Sequence, residues 1–354
     1  MPYAVRAAEP SSVAGDVTAL LARNLGGSCS DPKRRVEWFY LEGPFGPGIA
    51  HLLEHSDASA AGPGQSVGCM GIGVRRYRRE GRAIDVAVLG DFAVDLRHRS
   101  LGPAMMLQRA TRAYALEHYE FCLGYPNAKA KPVVLRLGFR ELGEMRRWVV
   151  PLRFATPMRR RLPAPAAAAA GFALDAAIGL LWRGGQLRGR GRYVLEETSE
   201  PDARFDRLDE EARGLFPIMS VRTAAFLRWR FLRRPDGAPV RFYNLVAREG
   251  GEVAAYAVVE RDGSFARLRD LFGRDREAIA LLLDMLLPRL RADGAEAAWF
   301  VWLGPKWLDE LLTRRGFRAR ESRSVVIDWG PSAASSEELL EKTQWYLTEA
   351  DEDG

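Results

Sequence analysis

The 354-residue chain is long enough for two domains, each with a core of its own. Its 47% hydrophobic and 28% charged residues are typical of a soluble globular protein. The formal net charge of +6 favours anionic ligands, but no basic tract is interleaved with aromatic residues, so we expect no nucleic-acid partner.

Cysteine and histidine usage indicates neither a disulfide framework nor a metal site. The three cysteines have no paired spacing, and the four histidines are scattered. His51 and His55 have helical spacing but bracket a strand-like segment, so we expect no metal. Sparse cysteine and an N-terminus without a basic-then-apolar signal favour a cytoplasmic protein.

The first part of the chain alternates strands and helices in an order that predicts a mixed sheet flanked by helices. Proline at positions 10 and 32 marks two helix starts, and Gly43-Pro44 marks a turn. The predicted elements are a strand over 3–6, helices from 10 and over 32–41, a hairpin over 49–53 and 67–74, a strand over 83–95, a helix to about 118, a strand from 121, a helix near 130 and a strand pair over 139–152.

The second part repeats this kind of order after a linker. Its predicted elements are strands over 193–197, 241–248, 253–260, 266–272, 297–303 and 317–329, and helices over 206–215, 221–232, 277–290 and 306–314. A polar, acidic tail follows from Pro331, with Trp345-Tyr346-Leu347 as its apolar patch. Two readings of the tail stay open: it is disordered, or Trp345 anchors it to the body.

The linker contains an alanine-rich apolar run between basic residues. Asp175 interrupts the run and two glycines weaken it, so we do not expect a spanning helix. One interpretation is a helix packed between the domains. The alternative is a peripheral membrane contact through 163–183, with an apolar face and arginine flanks on an anionic surface.

The stretch over 89–104 combines a strand, a tight turn and the start of a helix. Phe92, Val94 and Leu96 alternate with charged residues, as in a half-buried strand. Pro103 suits the first helical position, and Gly102 leaves room for a ligand near the backbone. Free N–H groups at a helix start, flanked by arginines, favour a phosphate or pyrophosphate.

Two motifs in this region resemble those of the GNAT acyltransferases. Arg99-x-x-Gly102-x-Ala104 resembles the family's R/Q-x-x-G-x-G/A signature for the pyrophosphate of acyl-CoA. Downstream, Asn127-x-x-Ala130 followed by Leu137-Gly138-Phe139 resembles the motif N-x-x-A-x-x-L-Y-x-x-L-G-F. Val134 stands where many members carry the tyrosine that protonates the leaving thiolate, and Tyr125 is a candidate to replace it.

An internal repeat extends the resemblance to the second half. Trp38-x-Tyr40-Leu41-x-x-Pro44-x-Gly46 recurs as Trp229-x-Phe231-Leu232-x-x-Pro235-x-Gly237. The second half has no R-x-x-G-x-G/A after Phe272. We therefore expect an α/β fold of the α+β mixed-sheet kind, with two tandem GNAT-like domains of which the second is degenerate. Its predicted divisions are a domain over 1–155, a linker over 156–190, a domain over 191–330 and a tail over 331–354.

The resemblance implies an acyl-CoA-dependent N-acyltransferase in which an amine attacks the thioester directly, most simply that of acetyl-CoA. A carboxylate, directly or through water, would take the amine proton. Asp91 is the first candidate for this base, Glu37 the second and the phenol of Tyr125 the third. The remaining site residues would bind the donor. The pantetheine arm would lie along Phe92, Ala93 and Val94 with Asn127 beside it, and the pyrophosphate would lie on Arg97, His98, Arg99, Ser100, Leu101, Gly102, Pro103 and Ala104.

Other functions stay open at this point. Val134 in place of the tyrosine favours a CoA-binding or scaffolding protein without transfer activity. A third option is transfer of a longer acyl group, or transfer to an O-linked acceptor. The acceptor is expected to be a small-molecule or saccharide amine, and a homodimer is an open alternative.

Overall fold

The computed structural model describes residues 2–27, 29–56, 64–154, 158, 163–330 and 337–353, and a mixed 14-stranded sheet runs through them. Alternating apolar residues in the long strands place one or both faces of each strand in the core. The strands are β1 (Tyr3–Ala8), β2 (Ile49–His55), β3 (Gln65–Arg79), β4 (Arg82–Val94), β5 (Phe121–Gly124), β6 (Arg140–Pro151), β7 (Tyr193–Thr198), β8 (Ile218–Ser220), β9 (Val240–Ala247), β10 (Val253–Asp262), β11 (Phe265–Gly273), β12 (Ala297–Leu303), β13 (Arg318–Trp329) and β14 (Trp345–Thr348).

The helices begin at the caps and prolines that the sequence supplies. Pro10 and Pro32 occupy the first turns of their helices, and Asp275 accepts a hydrogen bond from Ala278 N at 2.7 Å. The helices are α1 (Pro10–Leu25), α2 (Pro32–Val36), α3 (Leu101–His118), α4 (Lys131–Arg136), α5 (Ala164–Gly189), α6 (Ala203–Glu211), α7 (Ala224–Leu227), α8 (Arg276–Ala292) and α9 (Lys306–Arg314). The mixed α/β architecture expected from the sequence is confirmed.

The two halves exchange their last strands. β5 pairs with β4 on one edge and with β13 on the other. β13 pairs in turn with β6, and β6 pairs with β12. Each half therefore places its final strand beside the short parallel strand of the other half. The predicted division near residue 155 follows the chain order of the elements, but the sheet itself is continuous across it.

A matched pair of tryptophans joins the halves. α2 and α7 each run into a π-helical turn, Glu37–Leu41 and Arg228–Leu232, which widens the end of the helix predicted over 32–41. Trp38 and Trp229 lie in these turns and stack with ring centroids 4.7 Å apart and planes at 8°. Each indole N–H donates to the backbone carbonyl of the other tryptophan, at 2.8 and 2.9 Å. The repeated sequence segment thus forms a reciprocal, fully buried contact.

The tail is anchored through β14. Trp345, Tyr346 and Leu347 are fully buried, which confirms the anchoring reading for 337–353; residues 331–336 lie outside the described part of the chain. β11 and β12 pair in parallel only from Phe265 to Leu268. Beyond that point β12 pairs with β14, and Thr348 Oγ1 donates to Asp270 at 2.8 Å. The tail strand therefore fills the space where β11 and β12 part.

A buried charge cluster holds this strand in place. Arg222 is fully buried, and its Nε donates to Asp270 at 3.0 Å while its Nη2 donates to Asp351 at 2.8 Å. Asp351 also accepts a hydrogen bond from Thr348 N at 2.8 Å. Buried charges persist in proteins when they are paired and hydrogen-bonded in this way. The cluster links the tail to β11 and to the segment after β8.

Replacing either stacked tryptophan by alanine is expected to lower the free energy of unfolding by about 3–5 kcal/mol, because each leaves a large cavity. The double variant Trp38→Ala, Trp229→Ala should cost less than the sum of the two, with a coupling of about 0.5–3 kcal/mol, because the side chains share one contact. Urea denaturation of the four proteins measures this cycle. Leu96→Ala, at an 80% exposed position, is the control with little expected effect. If the two losses of unfolding free energy were strictly additive, the stacked tryptophans would not be energetically coupled and the prediction would be wrong.

Asp351→Asn is expected to lower the free energy of unfolding by about 3 kcal/mol, because it leaves Arg222 buried beside a single carboxylate. Hydrogen exchange should also speed up at 345–348, since the tail loses its link to Arg222. Asp262→Asn, at an exposed residue that ends β10, is the matched control and should leave both quantities unchanged. Unchanged exchange in the Asp351 variant would show that the tail does not depend on this ion pair.

Candidate active site

A gap opens where β4 and β5 part. These parallel strands pair only at Ala87–Cys122 and Val88–Leu123. The cavity beyond has a volume of about 240 Å³, with β4 on one side and the segment after β5 on the other. Residues that line it include Leu89, Gly90, Asp91, Phe92, Tyr125 and Asn127. This is where the sequence predicts the pantetheine arm.

A bulge in β4 turns the strand away from β5. The pairing of β3 with β4 shifts between Cys69 and Gly71, so that two residues of β4, Asp91 and Phe92, lie opposite Met70. Asp91 has a φ of 55°, which is uncommon for a residue other than glycine. Phe92 is 37% exposed at the gap, whereas Ala93 and Val94 are buried. The bulge leaves the β4 backbone facing the cavity over this segment.

Asp91 lines the cavity and is held by an arginine. Its Oδ1 accepts a hydrogen bond from Arg35 Nε at 3.0 Å, and both side chains are largely buried. Arg35 lies over the Phe39 ring, 4.6 Å from its centroid. Within the described part of the chain, Asp91 Oδ2 is buried and has no hydrogen-bond partner. The ion pair fixes the orientation of a carboxylate that retains capacity to accept a proton or a hydrogen bond.

The predicted phosphate turn lies at the start of α3. The helix begins at Leu101, so Pro103 is its third residue rather than its first. Proline is tolerated there because the N–H groups of the first turn have no intrahelical acceptor. Ser100, the N-cap residue, makes no side-chain cap hydrogen bond. A Cβ atom added to Gly102 would meet no atom within 4 Å, so the space beside this turn is open.

Two of the basic residues of the turn, Arg99 and His98, contact other parts of the protein, whereas the third, Arg97, is exposed. Arg99 Nε donates to Val94 O at 3.1 Å and its Nη2 donates to Asn24 Oδ1 at 3.1 Å, so this arginine also braces the turn against β4 and α1. His98 Nδ1 lies 3.0 Å from Tyr3 Oη. Arg97 is exposed. The turn therefore presents an exposed arginine and the start of a helix to solvent, an arrangement that favours an anion.

Tyr125 places a buried hydroxyl at the gap. Its Oη has no hydrogen-bond partner among the described residues. Burial, with smaller contributions from Asp351 and Glu352, raises the pKa of Tyr125 well above its usual value. A phenol holds its proton at neutral pH, and the raised pKa makes it still less disposed to act as the base, which was its other predicted role.

Asn127 shapes the loop after β5. Its Oδ1 accepts hydrogen bonds from Lys129 N at 3.1 Å and Ala130 N at 3.0 Å, in the turn that leads to α4. Asn127 and Val134 both line the cavity. The motif Asn-x-x-Ala thus has a structural reason, because the asparagine side chain organises the turn at the gap.

Asp353 is a cavity residue that the sequence analysis missed. It lies against Gly90, where an added Cβ would come within 3.2 Å of its Cβ and Oδ2. Burial raises the pKa of the Asp353 carboxyl above its usual value, and the positive charge of Arg35 acts in the opposite direction. Arg230 holds the preceding segment, with Nε donating to Ala350 O at 2.9 Å and Nη2 to Glu349 O at 2.6 Å. The apolar patch in the tail predicts that the tail packs on the body of the protein. No pattern in the sequence indicates that the residues after this patch reach the cavity.

Glu37 is not brought to the cavity. Its side chain is about 39% exposed and accepts a hydrogen bond from Arg34 at 3.3 Å. Arg34 also pairs with Glu42, so Glu37 belongs to a charged surface group. The π-helical turn buries Trp38, Phe39 and Tyr40 and leaves Glu37 on its outer side. A role for it as base has no support in the geometry.

The described residues contain no group of three or more His, Cys, Asp or Glu side chains that could hold a metal. Cys69 and Cys122 are buried and are not in disulfides. Burial raises the pKa of each thiol, so neither is disposed to form a thiolate. The residues that line the gap include two carboxylates, Asp91 and Asp353, and the phenol of Tyr125.

No protein-family model and no curated protein matches the chain. Solved structures match it over most of its length. A protein from Enterococcus faecalis described as "Probable N-Acyltransferase" has a TM-score of 0.64 and 9% identity, over 92% of this chain and 72% of its own. A GCN5-related N-acetyltransferase from Anabaena variabilis has a TM-score of 0.64 and 13% identity over the same shares.

A third match is the GCN5-related N-acetyltransferase from Kribbella flavida. Its TM-score is 0.59 and its identity 14%, over 92% of this chain and 71% of its own. Identities this low show a shared fold, and function has to be argued from the site itself. The mixed sheet, its gap and these matches together establish that the chain has the fold of the GNAT N-acetyltransferases.

Proposed function

We propose that the protein is an acyl-CoA-dependent N-acyltransferase with its donor site in the gap between β4 and β5. The observation that carries the proposal is the combination of a bulged, diverging β4 with an open helix start after it. Backbone groups of a strand freed from pairing are available for the amides of pantetheine. The turn at Gly102 supplies a place for the pyrophosphate at the other end of the same strand.

The dimensions of the gap support a short acyl group. Its volume of about 240 Å³ is shared by the thiol end of the donor and the acyl group. Acetyl-CoA is accordingly the first donor to test. The acceptor is proposed to be an amine, because a carboxylate and a phenol at one cavity supply the two proton transfers that aminolysis of a thioester requires.

In this mechanism a neutral amine attacks the thioester carbonyl, and the new C–N bond gives a tetrahedral oxyanion. The carbonyl then re-forms as the C–S bond breaks and the thiolate of CoA departs. Asp91 or Asp353 accepts the amine proton, since both carboxylates line the cavity. Tyr125 gives its proton to the departing thiolate. Backbone N–H groups of the bulged strand stabilise the oxyanion as fixed dipoles. The tyrosine missing at Val134 is thus replaced by one whose hydroxyl is buried at the same cavity.

We also infer that the second half is a diverged GNAT-like domain with no donor site of its own. The reciprocal tryptophan contact and the exchanged strands support a duplication. The space between β11 and β12 that corresponds to the donor gap contains β14. The turn after β11 also lacks an R-x-x-G-x-G/A sequence. On this proposal each chain has one site for the acyl donor, in its first half.

Gly102→Asp is expected to weaken acetyl-CoA binding by on the order of a hundredfold, because a carboxylate would occupy the space proposed for the pyrophosphate. Isothermal titration calorimetry measures the change. Gly15→Asp is the matched control, since Gly15 is also an open helical glycine, in α1. Its affinity should equal that of the unmodified protein. Absence of binding by the unmodified protein would overturn the donor assignment.

Tyr125→Phe is expected to lower kcat by about 10²-fold with donor binding unchanged, because the thiolate loses its acid. The measurement is release of free CoA from acetyl-CoA over a panel of amines, with Tyr119→Phe, at the end of α3, as the control. An unchanged kcat would exclude Tyr125 as the acid. If the unmodified protein binds acetyl-CoA but releases no CoA with any amine, the non-catalytic CoA-binding alternative replaces the enzyme.

A further inference from the structure

We propose that the outer face of α5 docks on the surface of a bilayer that contains anionic lipid. This inference goes beyond the proposed function and does not rest on it. Among the described residues, α5 is the helix that is long and apolar enough to cross a membrane by length and composition. Its most apolar window has a mean hydropathy of 1.6, and 12% of that window is buried. Such a helix leaves an unusual amount of apolar surface in solvent.

The three most exposed large apolar side chains of α5 fall on one side of the helix, while Leu174, at 41% exposed, lies on another. Phe172 is 76% exposed, Leu180 is 70% exposed and Leu187 is 67% exposed. At about 100° per residue the three side chains fall within about 80° of one another around the helix. Ala169, before Phe172, and Ala176, between Phe172 and Leu180, lie on the same side and are exposed. The result is an apolar stripe, defined here by Phe172, Leu180 and Leu187, that runs along most of the helix.

The opposite side of α5 is fixed to the body of the protein. Trp182 is buried, and Gly185 approaches α8 so closely that a Cβ there would come into contact with the Asp284 carboxylate. Ile178 contacts the position of Gly316 in the same way. A spanning helix would have to abandon these contacts. The helix is therefore suited to lie on a membrane and not to cross it.

The exposed charged side chains of α5 are all positive. Its single carboxylate, Asp175, is turned to the body, where it accepts hydrogen bonds from Arg291 Nη2 at 2.9 Å and Phe154 N at 2.9 Å. Arg183 and Arg188 are exposed. An apolar stripe beside exposed arginines, with the only acid neutralised, complements an anionic lipid surface.

Two grooves along the C-terminal half of α5 add to this surface. One, of about 340 Å³, is lined by Arg153, Arg183 and Arg291 together with Trp182. The other, of about 610 Å³, is lined by Arg183 and Arg190 together with Leu187. Each groove places guanidinium groups next to apolar side chains. Such a groove suits a phospholipid whose phosphate group contacts the arginines while its acyl chains contact the apolar stripe.

The test is flotation with vesicles of phosphatidylcholine alone or mixed with an equal part of phosphatidylglycerol. The full chain should float with the mixed vesicles, bind those of phosphatidylcholine on the order of tenfold more weakly, and be released by high salt. Phe172→Glu, Leu180→Glu should reduce binding to the mixed vesicles on the order of tenfold or more. Arg183→Gln, Arg188→Gln should reduce binding to the mixed vesicles and spare the weak binding to phosphatidylcholine.

Phe265→Glu is the matched control, because Phe265 is 46% exposed at the start of β11 and belongs neither to α5 nor to the lining of the two grooves. It should bind like the unmodified protein. Phe172→Leu, Leu180→Ile keeps the stripe apolar and should also bind, which guards against misfolding of the acidic variant. No binding to mixed vesicles, or equal binding by the acidic variant, would overturn the proposal. So would a dimer in sedimentation equilibrium that the acidic variant converts to a monomer, because the stripe would then be an interface between copies.

Discussion

The pairing of β6 with β13 is the interaction on which the rest of this structure depends. Because each strand also pairs with the short parallel strand of the other half, the two halves form one sheet. The gap of the first half depends on this exchange. β5 stays with β13 through Gly124 and Val326, while the bulge at Asp91 directs β4 away. Val326, a residue of the second half, accordingly lines the cavity of the first.

The tail reaches both places where neighbouring parallel strands part, between β4 and β5 and between β11 and β12. Its strand β14 pairs with β12 where β11 departs, and the Arg222 cluster binds it there. A few residues later the same chain reaches Gly90 and places Asp353 in the open gap. One segment thus closes the space in the second half and contributes a carboxylate in the first.

The cavity derives its chemistry from burial. Arg35 pairs with Asp91, and this contact orients one carboxylate while its second oxygen stays unpaired. Burial and the neighbouring carboxylates of the tail raise the pKa of Tyr125 well above its usual value. The bulge, the arginine and the tail thus bring carboxylates and a phenol to one cavity.

The sequence by itself determined most of the elements, the turn at Gly102, the motif at Asn127 and the tryptophan repeat, because periodicity, capping and turn chemistry act between residues close in the chain. The strand pair predicted over 139–152 is instead the single strand β6, and the short strands β8 and β14 were not predicted. Asp91 and Tyr125 could be named because Asp91 lies in β4 and Tyr125 directly follows β5, and both strands were recognisable in the sequence. Only the tertiary structure decided that β6 and β13 change partners, that Glu37 faces outward and that Asp353 enters the gap. These depend on which strand edge or cavity accepts a distant segment, and the free energy of that choice comes from long-range pairing and burial that local sequence does not encode.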